Sequence, residues 1–179
     1  HNYEYDAMWL EFDIAESLTK VSTDPNRIIG HLKQGISLGE KLGNFEGFIR
    51  GTNLMATISD ALGSYDASFN LYKVQLEQLK ARGGSKHSII VSLNNMGVNR
   101  LDNQMPHESL EYFTKAEALA RDLEDMRVRI QVLGNIGRTY SILGEKKNSK
   151  KYFEAGLKIA IENQFDDLIA NIRKELTNL

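Results

Sequence analysis

Apolar residues recur at intervals of three and four along nearly the whole chain, as in Leu168, Ile169, Ile172 and Leu176. This is the spacing of one face of an α-helix. Strand signals are almost absent: no alternating Val/Ile/Thr run is bounded by Asn-Gly turns. The only prolines, Pro25 and Pro106, both lie outside strongly periodic apolar segments. The pattern predicts helix for most of the chain, broken at short turns: LGSYD around Gly63, NQMPH around Pro106 and LGEKK around Gly144. In two of these turns a glycine follows the last apolar residue, as expected for a left-handed helix C-cap. Pro106 suits the first turn of the helix that follows. Thr23 or Asp24 is expected to cap a helix over Asn26 to Leu42.

The helical segments repeat. NMGVNRLDNQMPHESLEYFTKA, from Asn95, aligns with NIGRTYSILGEKKNSKKYFEAG, from Asn135, at an offset of 40. Gly97 meets Gly137, Ser109 meets Ser149, and Tyr112-Phe113 meets Tyr152-Phe153. An earlier copy starts 41 residues before the first; in it Ala56 takes the glycine place and Ser68 the serine place. Each copy reads as a helix, a turn and a second helix. The copies fall at about 45–82, 86–124 and 126–163, preceded by a degenerate pair at 3–42 and followed by a partial copy at 165–179. Together they make one repeat domain, expected to continue beyond Leu179. The chain also starts without an initiator Met, as in a mature product or a cut piece of a longer protein.

In the best copy, Asn135-Ile136-Gly137, Tyr140, Leu143-Gly144, Ser149, Phe153 and Gly156 carry the pattern. It resembles the tetratricopeptide repeat, here in a long variety: the period is 40 residues where about 34 is usual. The resemblance covers residues 45–163 and, weakly, the first 42. Departures are Arg100 where Tyr140 stands, Gln104 in place of the turn glycine and Gln75 in place of a small residue. The resemblance implies an all-α fold, an α-solenoid of stacked antiparallel helix pairs in a right-handed superhelix, with a concave groove lined by the first helices.

Leu133 to Glu145 holds three glycines, Gly134, Gly137 and Gly144. A phosphate-binding loop needs glycine between a strand and a helix. Here the Gly97/Gly137 position also accepts Ala56 and is flanked by apolar residues at helical spacing. Close helix packing explains that better, and Ser68, Ser109 and Ser149 are small for the same reason. Ile90, Leu93, Phe113, Ile130, Leu133 and Phe153 are the expected core.

Composition narrows the function further. A net charge of -2 provides no basic field for nucleic acid or anionic lipid, and there are no cysteines. The compartment stays undecided between cytoplasm and periplasm. No apolar run approaches the ~20 residues of a membrane span. ARGGSKHS, Ala81 to Ser88, lacks phosphate-loop spacing and reads as an interhelix turn with Ser85 as N-cap. His1, His31, His87 and His107 show no metal-binding spacing. The basic cluster Lys146, Lys147, Lys150 and Lys151 reads as a solvated face. No cofactor and no enzymatic activity is implied.

Asparagines on the first helices stand out because helix propensity does not place them there. Asn53, Asn94, Asn95 and Asn135 cluster just before the small-residue position, and Arg50, Gln131 and Arg138 fall on the same predicted face. An amide both donates and accepts, so it can grip the backbone of an extended peptide; in similar repeats such asparagines line the groove. Asn95 and Asn135 could alternatively bond between helices and order the stack. The expected function is binding a protein or peptide segment, with Arg50 and Arg138 taking acidic groups. The alternative is a sensor or regulatory domain of a larger signalling protein, a kinase, cyclase or transcription regulator, acting through intramolecular contacts. The terminal helix offers an apolar face for a homodimer.

Overall fold

The computed structural model describes residues 2–21 and 24–179. These form an all-α protein with nine helices among the described residues: α1 (Asn2–Val21), α2 (Pro25–Leu42), α3 (Phe45–Ala61), α4 (Tyr65–Ala81), α5 (Lys86–Asp102), α6 (Pro106–Ala120), α7 (Met126–Ile142), α8 (Lys146–Glu162) and α9 (Asp166–Thr177). α3, α5, α7 and α9 begin at Phe45, Lys86, Met126 and Asp166, so the repeat of the sequence is a repeat of helix pairs. The chain divides into two compact units, one ending at Gln75 and the other starting at Leu76, within α4.

The start and stop signals act as their chemistry dictates. Asp24 caps α2 by accepting from the Asn26 N–H at 3.0 Å, with Pro25 in the first turn; Thr23 lies outside the described residues. Ser85 caps α5 through the Ser88 N–H, and Asp125 caps α7 through the Val128 N–H. At the C-termini, Gly63 and Gly144 adopt φ of 73° and 75°. The residue after each donates back to the helix, Ser64 N to Ser59 O at 2.8 Å and Glu145 N to Tyr140 O at 2.9 Å. Gln104 performs the same turn at φ 59° without glycine's freedom, and Gln164 at 57°.

In the first unit Met8, Phe12 and Ala15 of α1 pack with Ile28 and Leu32 of α2 and Met55 of α3. Ala56, in the repeat's small position, is fully buried. Gln75, where a small residue was expected, is also buried and reaches across to α3, donating to the Ile49 carbonyl at 2.8 Å. Ser68 and Tyr72 of α4 both donate to the Asp60 carboxylate of α3.

In the second unit Ile90, Leu93, Phe113, Ile130 and Phe153 are buried as the periodicity requires, and Leu133 is half-buried. Each such buried side chain contributes about 1.5–3 kcal/mol. Phe113 sits over Gly97 and Phe153 over Gly137: a Cβ there would lie 2.5 Å and 3.0 Å from the respective rings. The glycines therefore serve close approach of the paired helices. Ser109 and Ser149 are fully buried with hydroxyls that find no partner among the described residues, so these two copies, unlike Ser68, use the residue for its size alone. The apolar stripe of α9 does not stand open. Ile172 is buried, and Leu168, Ile169 and Leu176 pack around the cluster of Ile130, Phe153 and Ala160.

Candidate functional site

The sequence places amides on α7, and the fold gives them a cleft. α7 and α9 flank a cavity of about 320 Å³ in the second unit. Its floor is Ile130, Phe153 and Ile172; its walls carry Gln131, Gly134 and Asn135 of α7 and Leu168 and Asn171 of α9. At Gly134 the cleft is open: a Cβ built there meets nothing within 4 Å. The three glycines of this segment thus have three different roles: Gly134 lines the cleft, Gly137 admits the Phe153 ring, and Gly144 turns the chain.

An ion pair straps α7 to α9 at each end of the cleft. Arg127 donates to both carboxylate oxygens of Asp167, at 3.0 and 3.4 Å, with its guanidinium 4.4 Å over the Phe165 ring. The hydrogen bond from Arg127 holds the Asp167 carboxyl below its ordinary pKa. At the other end Arg138 Nε donates to Glu175 Oε1 at 2.9 Å. The two arginines are about 16 Å apart along α7 at the usual helical rise. That is three turns of exposed helix edge.

Arg138 also ends a polar ladder that crosses three helices. Asn135 Nδ2 donates to Asn94 Oδ1 of α5 at 2.8 Å, and Arg138 Nη1 donates to Asn135 Oδ1 at 3.4 Å. Asn94 and Asn135 are 5% and 8% exposed, so this amide pair orders the stack from within. Gln131 is exposed one turn before Asn135, while Asn95 is half-buried on α5. The structure therefore gathers Gln131, Asn135 and Arg138 at the cleft, with Asn94 behind them.

Arg50 and Asn53 belong to the first unit. Arg50 was expected to hold a ligand's acidic groups; the acidic groups it holds are the chain's own. Its Nη2 lies 3.0 Å from Asp13 and 3.0 Å from Glu16, and its guanidinium stacks 5.3 Å from Trp9 and 5.7 Å from Phe12. Burial would lower its pKa, but the hydrogen bonds of Glu16 and Asp13 prevail and raise it. Asn53 is half-buried on α3.

Sequence reasoning missed Arg127, Asn171 and Glu175. The signal was there: Asn171 and Glu175 are the repeat counterparts of Gln131 and Asn135, 40 residues on. The remaining candidates are surface groups. Lys86 and His87 face Asp122 and Asp125 at 3.8 and 3.3 Å. Lys150 pairs with Glu154, and Lys151 lies over the Tyr152 ring. No helix among the described residues is long and apolar enough to cross a membrane.

Residues 130–160, which form most of α7 and α8, match the tetratricopeptide repeat family. No curated protein matches the chain in sequence. Among solved structures, aspartyl phosphate phosphatase F from Bacillus subtilis superposes with a TM-score of 0.84 at 14% identity, over 94% of this chain and 44% of that one. A Rap protein complexed with competence and sporulation factor gives 0.82 at 15% identity, over 96% and 47%. BtubC from P. vanneervenii gives 0.57 at 16%, over 97% and 83%. The chain thus spans less than half the length of the first two. With helix pairs recurring at the spacing of its sequence copies, a family match over residues 130–160 and these neighbours in fold, the chain is a repeat protein of the tetratricopeptide type.

Proposed function

We propose that the chain is a protein-binding module without catalytic activity, and that the α7/α9 cleft receives an extended segment of a partner protein. The observation that carries this is the open stretch at Gly134, bordered by the amides of Gln131 and Asn171 between two ion-pair straps. Amides can pair with a backbone whatever its sequence. The apolar floor of Ile130, Phe153 and Ile172 accepts one side chain of the segment. A cleft built into the fold also lowers the ordering cost of binding. The straps are exposed ion pairs, which contribute about 0–1 kcal/mol each, so a charged group in the segment can exchange with them cheaply. A partner complex of a fold neighbour, the Rap protein with competence and sporulation factor, is consistent with this use of the fold.

Gly134→Leu tests the reading, because it projects a side chain into the cleft from a position whose added Cβ meets nothing within 4 Å. Wild type and variant, both checked by circular dichroism, serve as baits in a lysate of the source organism. Partners captured by wild type and lost on the variant support cleft binding. Partners captured equally by both sink it.

A further inference from the structure

The first unit holds a second, larger recess that the α7/α9 cleft does not explain. It is about 670 Å³ in volume and lies between α2 and α4 with α3 as its floor. α3 turns Arg50 toward α1 and its other side, with Phe48 and Met55, toward this recess. The recess follows helical stripes: residues 29, 33, 36 and 40 on α2, and 67, 70, 71 and 74 on α4. It is therefore a trough three turns long, about 16 Å at the helical rise.

Its chemistry is apolar. Ile29, Ile36, Phe48, Met55, Leu71 and Val74 supply its large apolar side chains, and Val74 is 47% exposed at the lip. The two hydroxyls on the floor are already bonded within α3, Thr52 to the Phe48 carbonyl at 2.8 Å and Ser59 to the Met55 carbonyl at 2.9 Å. The groups left to meet a polar partner, Ser37, Asn70 and the charges of Lys33 and Glu40, lie on the flanking helices α2 and α4 and not on the floor. The rim carries one cation and one anion, Lys33 and Glu40, seven residues apart on α2 and so two turns apart on one edge. Elsewhere on α2 His31 pairs with Glu11 and Lys41 with Glu4. Among the described residues, Lys33 and Glu40 pair with neither each other nor any other group.

An apolar trough open along one side, edged by two unpaired opposite charges, fits an amphipathic helix laid lengthwise. We infer that the α2/α3/α4 trough docks a partner helix of about three turns, whose apolar stripe fills the trough and whose acidic and basic residues, two turns apart, meet Lys33 and Glu40. A single alkyl carboxylate satisfies Lys33 but leaves Glu40 unpaired, so the paired charges favour the helix.

The test is selection of a displayed library of 14-residue helical peptides on the purified chain, with counter-selection on Val74→Asp. The expected winners carry apolar residues at i, i+3, i+4 and i+7, with an acid and a base two turns apart. Their affinity falls at least tenfold on Val74→Asp and on the Lys33→Glu/Glu40→Lys double variant. A peptide with its acid and base exchanged recovers binding to the double variant, which also covers the case of Val74→Asp failing to fold. No enrichment, winners without helical periodicity, or indifference to the charge exchange overturns the inference. Dodecanoate binding in place of any peptide overturns it as well and reassigns the trough to lipid chemistry.

Discussion

The helix-interior glycines allow packing to be separated from propensity. Gly97 and Gly134 both lie inside helices of the second unit, α5 and α7. Each Gly→Ala change brings a helix-propensity gain of about 1 kcal/mol. At Gly134 nothing opposes it, since the new Cβ meets no atom within 4 Å. At Gly97 the Cβ arrives 2.5 Å from Cε1 and 2.6 Å from Cδ1 of Phe113, a fully buried ring that must move as a body. Overpacking of this kind costs about 1–3 kcal/mol. The propensity gain cancels between the two variants, so the difference between them isolates the packing cost at about 1–3 kcal/mol. Each kcal/mol shifts the melting temperature by about 2–4 °C for a chain of this size. Gly134→Ala should melt above wild type, Gly97→Ala several degrees below Gly134→Ala, and Gly137→Leu below wild type through contact with Phe153. Thermal unfolding followed by circular dichroism at 222 nm reads all three. Shortening the ring in a Gly97→Ala/Phe113→Leu double variant should recover part of the loss as a coupling of about 0.5–3 kcal/mol. Equal stabilisation by Gly97→Ala and Gly134→Ala, or no coupling to Phe113, would refute the close-packing argument.

Asn135→Ala strands the Asn94 amide and should cost about 1–3 kcal/mol in chemical denaturation, while Asn94→Ala/Asn135→Ala should cost little more than the single change; simple additivity would show the two amides to be independent. The Asp167 carboxyl should titrate by NMR below an ordinary aspartate, and Arg127→Gln should return it to the ordinary range. A carboxyl depressed in the folded state supports stability above its unfolded pKa, and that support disappears as pH falls through the folded value; a midpoint indifferent to Arg127→Gln rules out the strap as its cause. Gln104→Gly relieves a left-handed residue that costs about 1–2 kcal/mol, against about 0.5–1 kcal/mol of added chain entropy, so a net gain near 0.5–1 kcal/mol in denaturation midpoint is expected and a loss contradicts it.

Fold was legible in the sequence because it rests on local rules. Three-four periodicity, the caps at Asp24 and Ser85, the turn glycines and the small positions facing Phe113 and Phe153 are each visible within one turn or at a fixed offset. The partners of the polar side chains were not. Arg50 reads as a free cation until α1 brings Asp13 and Glu16 beside it, 37 and 34 residues away. Asn135 donates to Asn94, one place before its repeat counterpart Asn95. Side-chain pairing depends on the rotation of one helix against the next, which the repeat pattern does not encode.

Glu175 has a consequence for selectivity at the α7/α9 cleft. It keeps a carboxylate permanently within reach of Arg138 and so acts as an internal competitor for that guanidinium. A tethered group competes at an effective concentration in about the millimolar range or above. A lone anion from dilute solution has to compete with it. A segment that also engages Gln131 and Asn171 carries the extra contacts needed to win the exchange. For the proposed ligand the resident carboxylate thereby acts as a handicap of a few-fold at about 0–1 kcal/mol, which a lone anion carries in full and a multiply anchored chain offsets through its other contacts.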